Sequence, residues 1–121
     1  MLTEHKLTLT TNSGGIATGY FPSVSGYIVR MRYVKVDFAD GVDFTITLNT
    51  AGETVWTQLT QNASAIKYPR IGLHSNAGVA LLFEGANTQT DRIPLHNDKV
   101  KVAVAEGGSG KSGDFYLLVE E

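Results

Sequence analysis

The sequence predicts an all-β fold, a single-domain β-sandwich or jelly roll of about eight or nine strands. Apolar and polar residues alternate along most of the chain, which is the period of a strand with one buried face. Clusters of Gly, Asn, Asp and Ser break the alternation at short intervals, as turns do. Apolar spacing of the helical kind is nearly absent.

The elements follow in order. His5, Leu7 and Leu9 alternate with Lys6, Thr8 and Thr10, so the first strand has one face to bury. Asn12-Ser13-Gly14-Gly15 is a turn, and residues 16–21 make a short second strand ended by Pro22. The segment 26–38 is too long for one straight strand. Its apolar set changes face around Arg32, from Tyr27, Val29 and Met31 to Val34, Val36 and Phe38. That predicts a bulge, or a strand that crosses from one sheet to the other. After the turn Ala39-Asp40-Gly41, Phe44, Ile46 and Leu48 alternate with Thr45, Thr47 and Asn49. A second turn at 50–53 leads to Val55, Thr57 and Leu59 on one face, with Trp56 on the other. Pro69 places the next strand, 65–71, at an edge or marks a bulge there. The pattern weakens over 72–90, where 79–83 reads equally as a buried strand or a helical turn. Ile93 and Leu95 precede a turn at Asn97-Asp98. Val100, Val102 and Val104, then a Gly/Ser stretch, then Phe115, Leu117 and Val119 read as a closing β-hairpin.

Composition narrows the function classes. Hydrophobic residues make up 42% of the 121 and charged residues 18%, enough apolar surface for one real core and too little charge for disorder. A formal charge of −2 with no Lys/Arg block gives no electrostatic footprint for nucleic acid. Arg30, Arg32 and Lys35 lie in a strand pattern and read as a solvated sheet face. The absence of cysteine removes disulfides, thiolate nucleophiles and cysteine-based zinc sites. The first residues lack the apolar stretch of a secretory leader, and no apolar run approaches the ~20 residues that cross a bilayer. The expectation is a soluble protein, made and used inside the cell, with no membrane partner.

The motifs that carry chemistry are weak. Ala105-Glu106-Gly107-Gly108-Ser109-Gly110-Lys111-Ser112 satisfies a relaxed phosphate-loop pattern, and a nucleotide hydrolase would rest on Lys111. Such a loop needs a helix N-terminus behind it, whereas an apolar strand pattern follows here. His5, His74 and His96 lack partners at metal-ligand spacing. Asp37, Asp40 and Asp43 bracket a turn without the spacing of a calcium loop. Ser23, Ser25 and Ser64 have no nucleophile-elbow context. No catalytic residue, cofactor or metal is expected, and the chain reads as a binding module rather than an enzyme. Trp56, among Thr54, Gln58 and Thr60, reads as an outward contact residue for a partner protein or, with nearby tyrosines, a glycan. Thr8, Thr10, Thr45, Thr47, Thr57 and Thr60 form neutral outward faces suited to lying against other subunits.

Three stretches carry a family resemblance. They are Gly41-Val42-Asp43-Phe44-Thr45-Ile46-Thr47, then Asp91-Arg92-Ile93-Pro94-Leu95, then the closing segment from Asp98-Lys99-Val100 through Glu106-Gly107-Gly108 to Lys111-Ser112-Gly113-Asp114-Phe115-Tyr116. Over 26–121 the chain resembles small structural proteins of tailed-bacteriophage virions. The resemblance implies a capsid decoration (cement) protein on the major capsid shell, located in the virion and oligomeric, with a trimer favoured. A head–tail junction, collar or tail component is the alternative within that family, and a carbohydrate-binding or adhesive sandwich the alternative outside it. Residues 1–12 are expected to pair as a strand with a neighbouring subunit. The candidate partner contacts are Leu7, Leu9, Trp56, Leu81, Leu82 and Phe83.

Overall fold

The computed structural model describes residues 1–72, 74, 76–80, 82–83, 87–88 and 90–121. The period-2 alternation becomes two antiparallel sheets that share one apolar interior. The larger sheet orders β1 (Leu2–Thr10), β12 (Ser112–Glu120), β3 (Val24–Lys35), β10 (Thr90–Asp98) and β7 (Arg70–Gly72), with β6 (Ala65–Lys67) also on β3. The smaller orders β2 (Ala17–Tyr20), β11 (Val100–Ala105), β4 (Val42–Leu48) and β5 (Thr54–Gln61). Two-residue strands β8 (Leu82–Phe83) and β9 (Asn87–Thr88) pair with each other. The fold is all-β, a β-sandwich as the alternation predicts, and among the described residues none is helical. Among the described residues twelve strands replace the expected eight or nine, and four of them are only two or three residues long.

Aromatic rings tie the layers together. Tyr33 of the larger sheet lies 5.1 Å from Phe44 of the smaller and 5.2 Å from Phe115. Phe44 in turn meets Trp56 edge-on at 4.9 Å. Aliphatic side chains from both inner faces, among them Ile28, Met31, Ile46, Val102 and Leu117, close the core around these rings. On the inner face of β1, Leu9 is buried and Leu7 packs against the core. Both lie on Gly19 of β2, where an added Cβ would come within 2.4 Å of Leu9.

Several readings of the sequence are corrected, and bulges explain most of them. β3 stays within one sheet. Its inward residues are Ile28, Met31 and Tyr33, because a register shift opposite Leu118 and Val119 makes Val29 the extra residue. The face change thus falls at Val29 and not at Arg32, and Tyr27 and Val36 are exposed. In β5, Trp56 sits opposite Ile46 while Thr54 sits opposite Thr47, so Val55 is extra and both Val55 and Trp56 point inward. The same bulge turns Gln58, opposite Phe44, inward and leaves Leu59 outside, and a second shift follows before Gln61, with Thr60 at φ 54°. Pro69 splits the strand expected at 65–71 into β6, which pairs with β3, and β7, which pairs with β10.

The closing hairpin is also corrected. β11 pairs with β2 and β4, whereas β12 pairs with β1 and β3, so the Gly/Ser loop carries the chain from one sheet to the other. Val100, Val102 and Val104 and Phe115, Leu117 and Val119 are all buried, but they face each other across the core. Thr11 knits this end together. Its hydroxyl accepts from Lys111 N at 2.9 Å and donates to Gly108 O, while its own N–H donates to Lys111 O at 2.8 Å.

Candidate interaction surface

The outer faces of the two sheets differ in chemistry. On the smaller sheet, strand register aligns Thr18, Ala103, Thr45 and Thr57 in one row across β2, β11, β4 and β5. The next row is Tyr20, Lys101, Thr47 and Thr54. These residues alternate with the buried valines and phenylalanine of the same strands and therefore face solvent. Ile16 and Leu59 are 54% and 64% exposed, one before β2 and one on β5. A shallow depression of about 280 Å³ lies over Thr18, Thr45 and Ala103. Beside these rows stands Asp43, whose Oδ1 accepts from Thr60 N at 2.8 Å, holding the β5 bulge. The face is flat and made mostly of small neutral groups.

The outer face of the larger sheet is charged and internally paired. Glu4 takes Arg30 on one carboxylate oxygen and Arg32 on the other, each at 3.3 Å. The Arg32 guanidinium also lies 4.2 Å from the Tyr116 ring centre. Lys6 meets Asp114 at 3.7 Å, and Arg92 meets Glu120 at 3.2 Å while covering Tyr27. Arg30, Arg32 and Lys35, expected as a solvated sheet face, lie on a strand but are ion-paired and only 31%, 31% and 27% exposed.

The remaining candidates scatter. Asp37 accepts from Ser112 N, Asp40 pairs with Lys35, and Asp43 holds Thr60, so the three acids serve three separate contacts. Among the described residues no group of His, Asp or Glu is arranged to hold a metal ion. Lys111 is exposed and leads straight into β12, without the helix that a phosphate loop requires.

The expected contact residues fare unevenly. Trp56 is 5% exposed with its ring on Phe44, and its indole N–H reaches Gln58 Oε1 at 3.4 Å. It offers no open face to a partner or a sugar, which corrects its reading as an outward contact. Leu9 is consumed by the chain's own core and Leu7 is partly buried against it. The expectation for Leu81, Leu82 and Phe83 falls outside the described residues and side chains. Sequence reasoning named Thr45, Thr47 and Thr57 but did not join to them Thr18, Tyr20, Lys101 and Ala103, which complete their rows. The alternation in 17–20 and 100–105 carried that signal; the strand neighbours it needed were not visible.

No protein-family model matches the chain, and no curated protein matches it. Solved structures similar to it include FLHE, at 7% identity over 99% of this chain and 98% of that one, with a TM-score of 0.48. Another is the C-terminal CBM6 of LamC, a marine laminarinase from Zobellia galactanivorans, at 11% identity over 96% and 100%, with a TM-score of 0.41. Both scores lie below 0.5, and neither likeness assigns a function.

Proposed function

We propose that this chain is a non-enzymatic assembly module that docks on a protein surface through the outer face of its smaller sheet. One observation carries the reading: the rows Thr18-Ala103-Thr45-Thr57 and Tyr20-Lys101-Thr47-Thr54 hold a single charged side chain. A face of small neutral groups loses little hydration energy when covered, whereas burying a charge costs several kcal/mol unless it is paired on arrival. The opposite outer face, with its ion pairs already made inside the chain, is suited to remain in water.

The resemblance to tailed-phage virion proteins directs the choice of partner. The surface we propose is that of the major capsid shell, with the protein acting as decoration and stabilising the shell by mass action. The glycan-binding alternative loses Trp56, which is buried, and would rest on exposed tyrosines such as Tyr20 and Tyr68 alone.

The test is co-sedimentation with capsids that lack the protein. Saturable binding in copies matched to the shell lattice supports decoration, and binding at a few copies moves the protein to the portal vertex or tail. Thr45→Lys places an unpaired charge at the centre of the proposed face and is expected to weaken binding by about tenfold or more. Undiminished binding of Thr45→Lys, or no binding by the native chain, overturns the proposal.

A further inference from the structure

We infer that the outward edge of β1 is a self-pairing site, at which a second copy of this chain adds its own β1 in one defined register. The inference concerns a different surface from the docking face and does not depend on the capsid reading.

Hydrogen-bond phase shows what the edge offers. At one end of the strand, Thr11 N donates to Lys111 O at 2.8 Å. At the other, the Met1 amine donates to Glu121 O at 3.0 Å and Glu121 N returns a bond to Met1 O at 2.9 Å. Bonding alternates along an antiparallel pair, so odd-numbered residues of β1 turn their N–H and C=O groups toward β12. Leu2, Glu4, Lys6, Thr8 and Thr10 therefore point theirs outward, and no strand among the described residues pairs with that edge. A nine-residue edge without a bulge is a ready template for another strand.

Charge selects the occupant and its register. Two copies related by a two-fold axis must pair even residues with even, so that outward groups meet. If Glu4 faced Glu4 of the second copy, or Lys6 faced Lys6, like charges would stand directly opposite, which is unfavourable in a sheet. Setting Glu4 against Lys6 of the second copy does the reverse, placing an opposite-charge pair on each side of the axis. It also joins Leu2 to Thr8, each bonded pair exchanging two N–H···O bonds, and puts His5 beside His5 on the axis. A lone Lys in an edge strand normally discourages pairing. Here Glu4 of the second copy stands opposite as counter-charge; it keeps Arg30 and Arg32, and Lys6 keeps Asp114, within each chain, so the cross-copy pair extends those networks and does not replace them. The contact uses the same edge on both copies and closes at two, so the species is a dimer and not the trimer that the resemblance favours.

Cysteine cross-linking reads the register without background, since the chain has no cysteine. At the axis the Cα atoms of the two position-5 residues stand about 4.5 Å apart, within disulfide reach. The two copies of position 4, or of position 6, lie diagonally at roughly 9 Å, beyond it. Under mild oxidation His5→Cys is expected to dimerise at least about tenfold faster than Glu4→Cys or Lys6→Cys. Equal rates at all three positions, or fastest closure at 4 or 6, overturn the inference. Amide exchange on the unaltered protein provides an independent reading should a variant not fold. Raising the concentration should slow the amides of Leu2, Glu4, Lys6 and Thr8 on the order of tenfold and leave that of Thr10 unchanged. A native protein that stays monomeric, with those four amides unprotected, also overturns it. Capsid binding enters neither readout, so failure here leaves the docking proposal standing.

Discussion

Replacing Asp98 with Asn keeps the side chain's shape and changes its charge, at a corner where two connections meet. β10 ends at Asp98 and β11 begins at Val100, so the chain passes from the larger sheet to the smaller across one residue. A register shift with Asn97 at φ 47° makes that corner, and Asn97 N is held by Ser25 Oγ at 2.9 Å. Asp98 is 5% exposed and its carboxylate accepts three backbone N–H groups: Thr50 and Lys99 at 2.8 Å on one oxygen, Ala51 at 3.1 Å on the other. It thereby clamps the β4–β5 turn to the β10–β11 corner. Burial by itself pushes the carboxyl up, but the N–H groups of Thr50, Ala51 and Lys99 outweigh it and hold the pKa below the ordinary 3.8. In the Asp98→Asn variant one oxygen keeps two neutral bonds while the amide NH₂ confronts the Ala51 N–H. Losing one bond and weakening two should cost about 2 kcal/mol at pH 7, which for a domain of this size lowers Tm by roughly 8 °C.

The pH dependence follows from the same clamp. Because folding lowers this pKa, the ionised carboxylate's contribution is complete above the ordinary value and is lost as pH falls through the folded-state value. The gap between native and Asp98→Asn should therefore narrow below about pH 4. Thermal unfolding followed by circular dichroism at pH 7 and at pH 3 makes the comparison. A loss under about 0.5 kcal/mol at neutral pH, or an undiminished gap in acid, would refute the clamp.

Two further substitutions probe the core. Trp56→Ala should destabilise by about 3–5 kcal/mol in chemical denaturation, since it empties a buried site against Phe44, and native Trp56 should fluoresce as a buried indole. A surface-like effect under about 1 kcal/mol would restore it to the outside. Tyr33 is fully buried, its hydroxyl has no partner among the described residues, and burial pushes its pKa up to about 12. Tyr33→Phe should be neutral or stabilising by up to about 1 kcal/mol at pH 7. Since folding raises this pKa, Tyr33's contribution is complete below about pH 10 and fades as pH rises through about 12. The Phe variant should consequently lose less stability than the native chain in that alkaline window, which denaturant titrations at pH 8 and pH 11 would show.

Much of the fold could be read from alternation, and what escaped has a common physical origin. Phe44, Ile46 and Leu48, Val100, Val102 and Val104, and Phe115, Leu117 and Val119 all bury the face their spacing assigned. Alternation reports which residues share a face only while the register runs unbroken. Each bulge in β3 and β5 inverts it, which is why Val29, Trp56 and Leu59 leave the face expected of them while Val55, ahead of the inversion, keeps its own. A bulge such as that at Val55 leaves little trace in composition, because the near-helical conformation of such a bulge suits most residue types. Pairing was less legible still. A short Gly/Ser loop joins neighbours in one sheet as readily as it crosses between two, and only the core decides. For the candidate surface, the threonines were evident as outward residues. Their assembly with Thr18 and Ala103 into continuous rows required strand order, which a single sequence does not contain.

The most direct test of the docking account places one thiol at a time on the otherwise cysteine-free chain and measures its alkylation, free and bound to capsids. Thr45→Cys and Thr57→Cys lie in the proposed face, while Thr10→Cys lies on exposed β1, beyond the stretch that pairs with a second copy. The account predicts that binding slows alkylation at 45 and 57 by about tenfold or more and leaves 10 unchanged. Protection at 10 with 45 and 57 still reactive would contradict it.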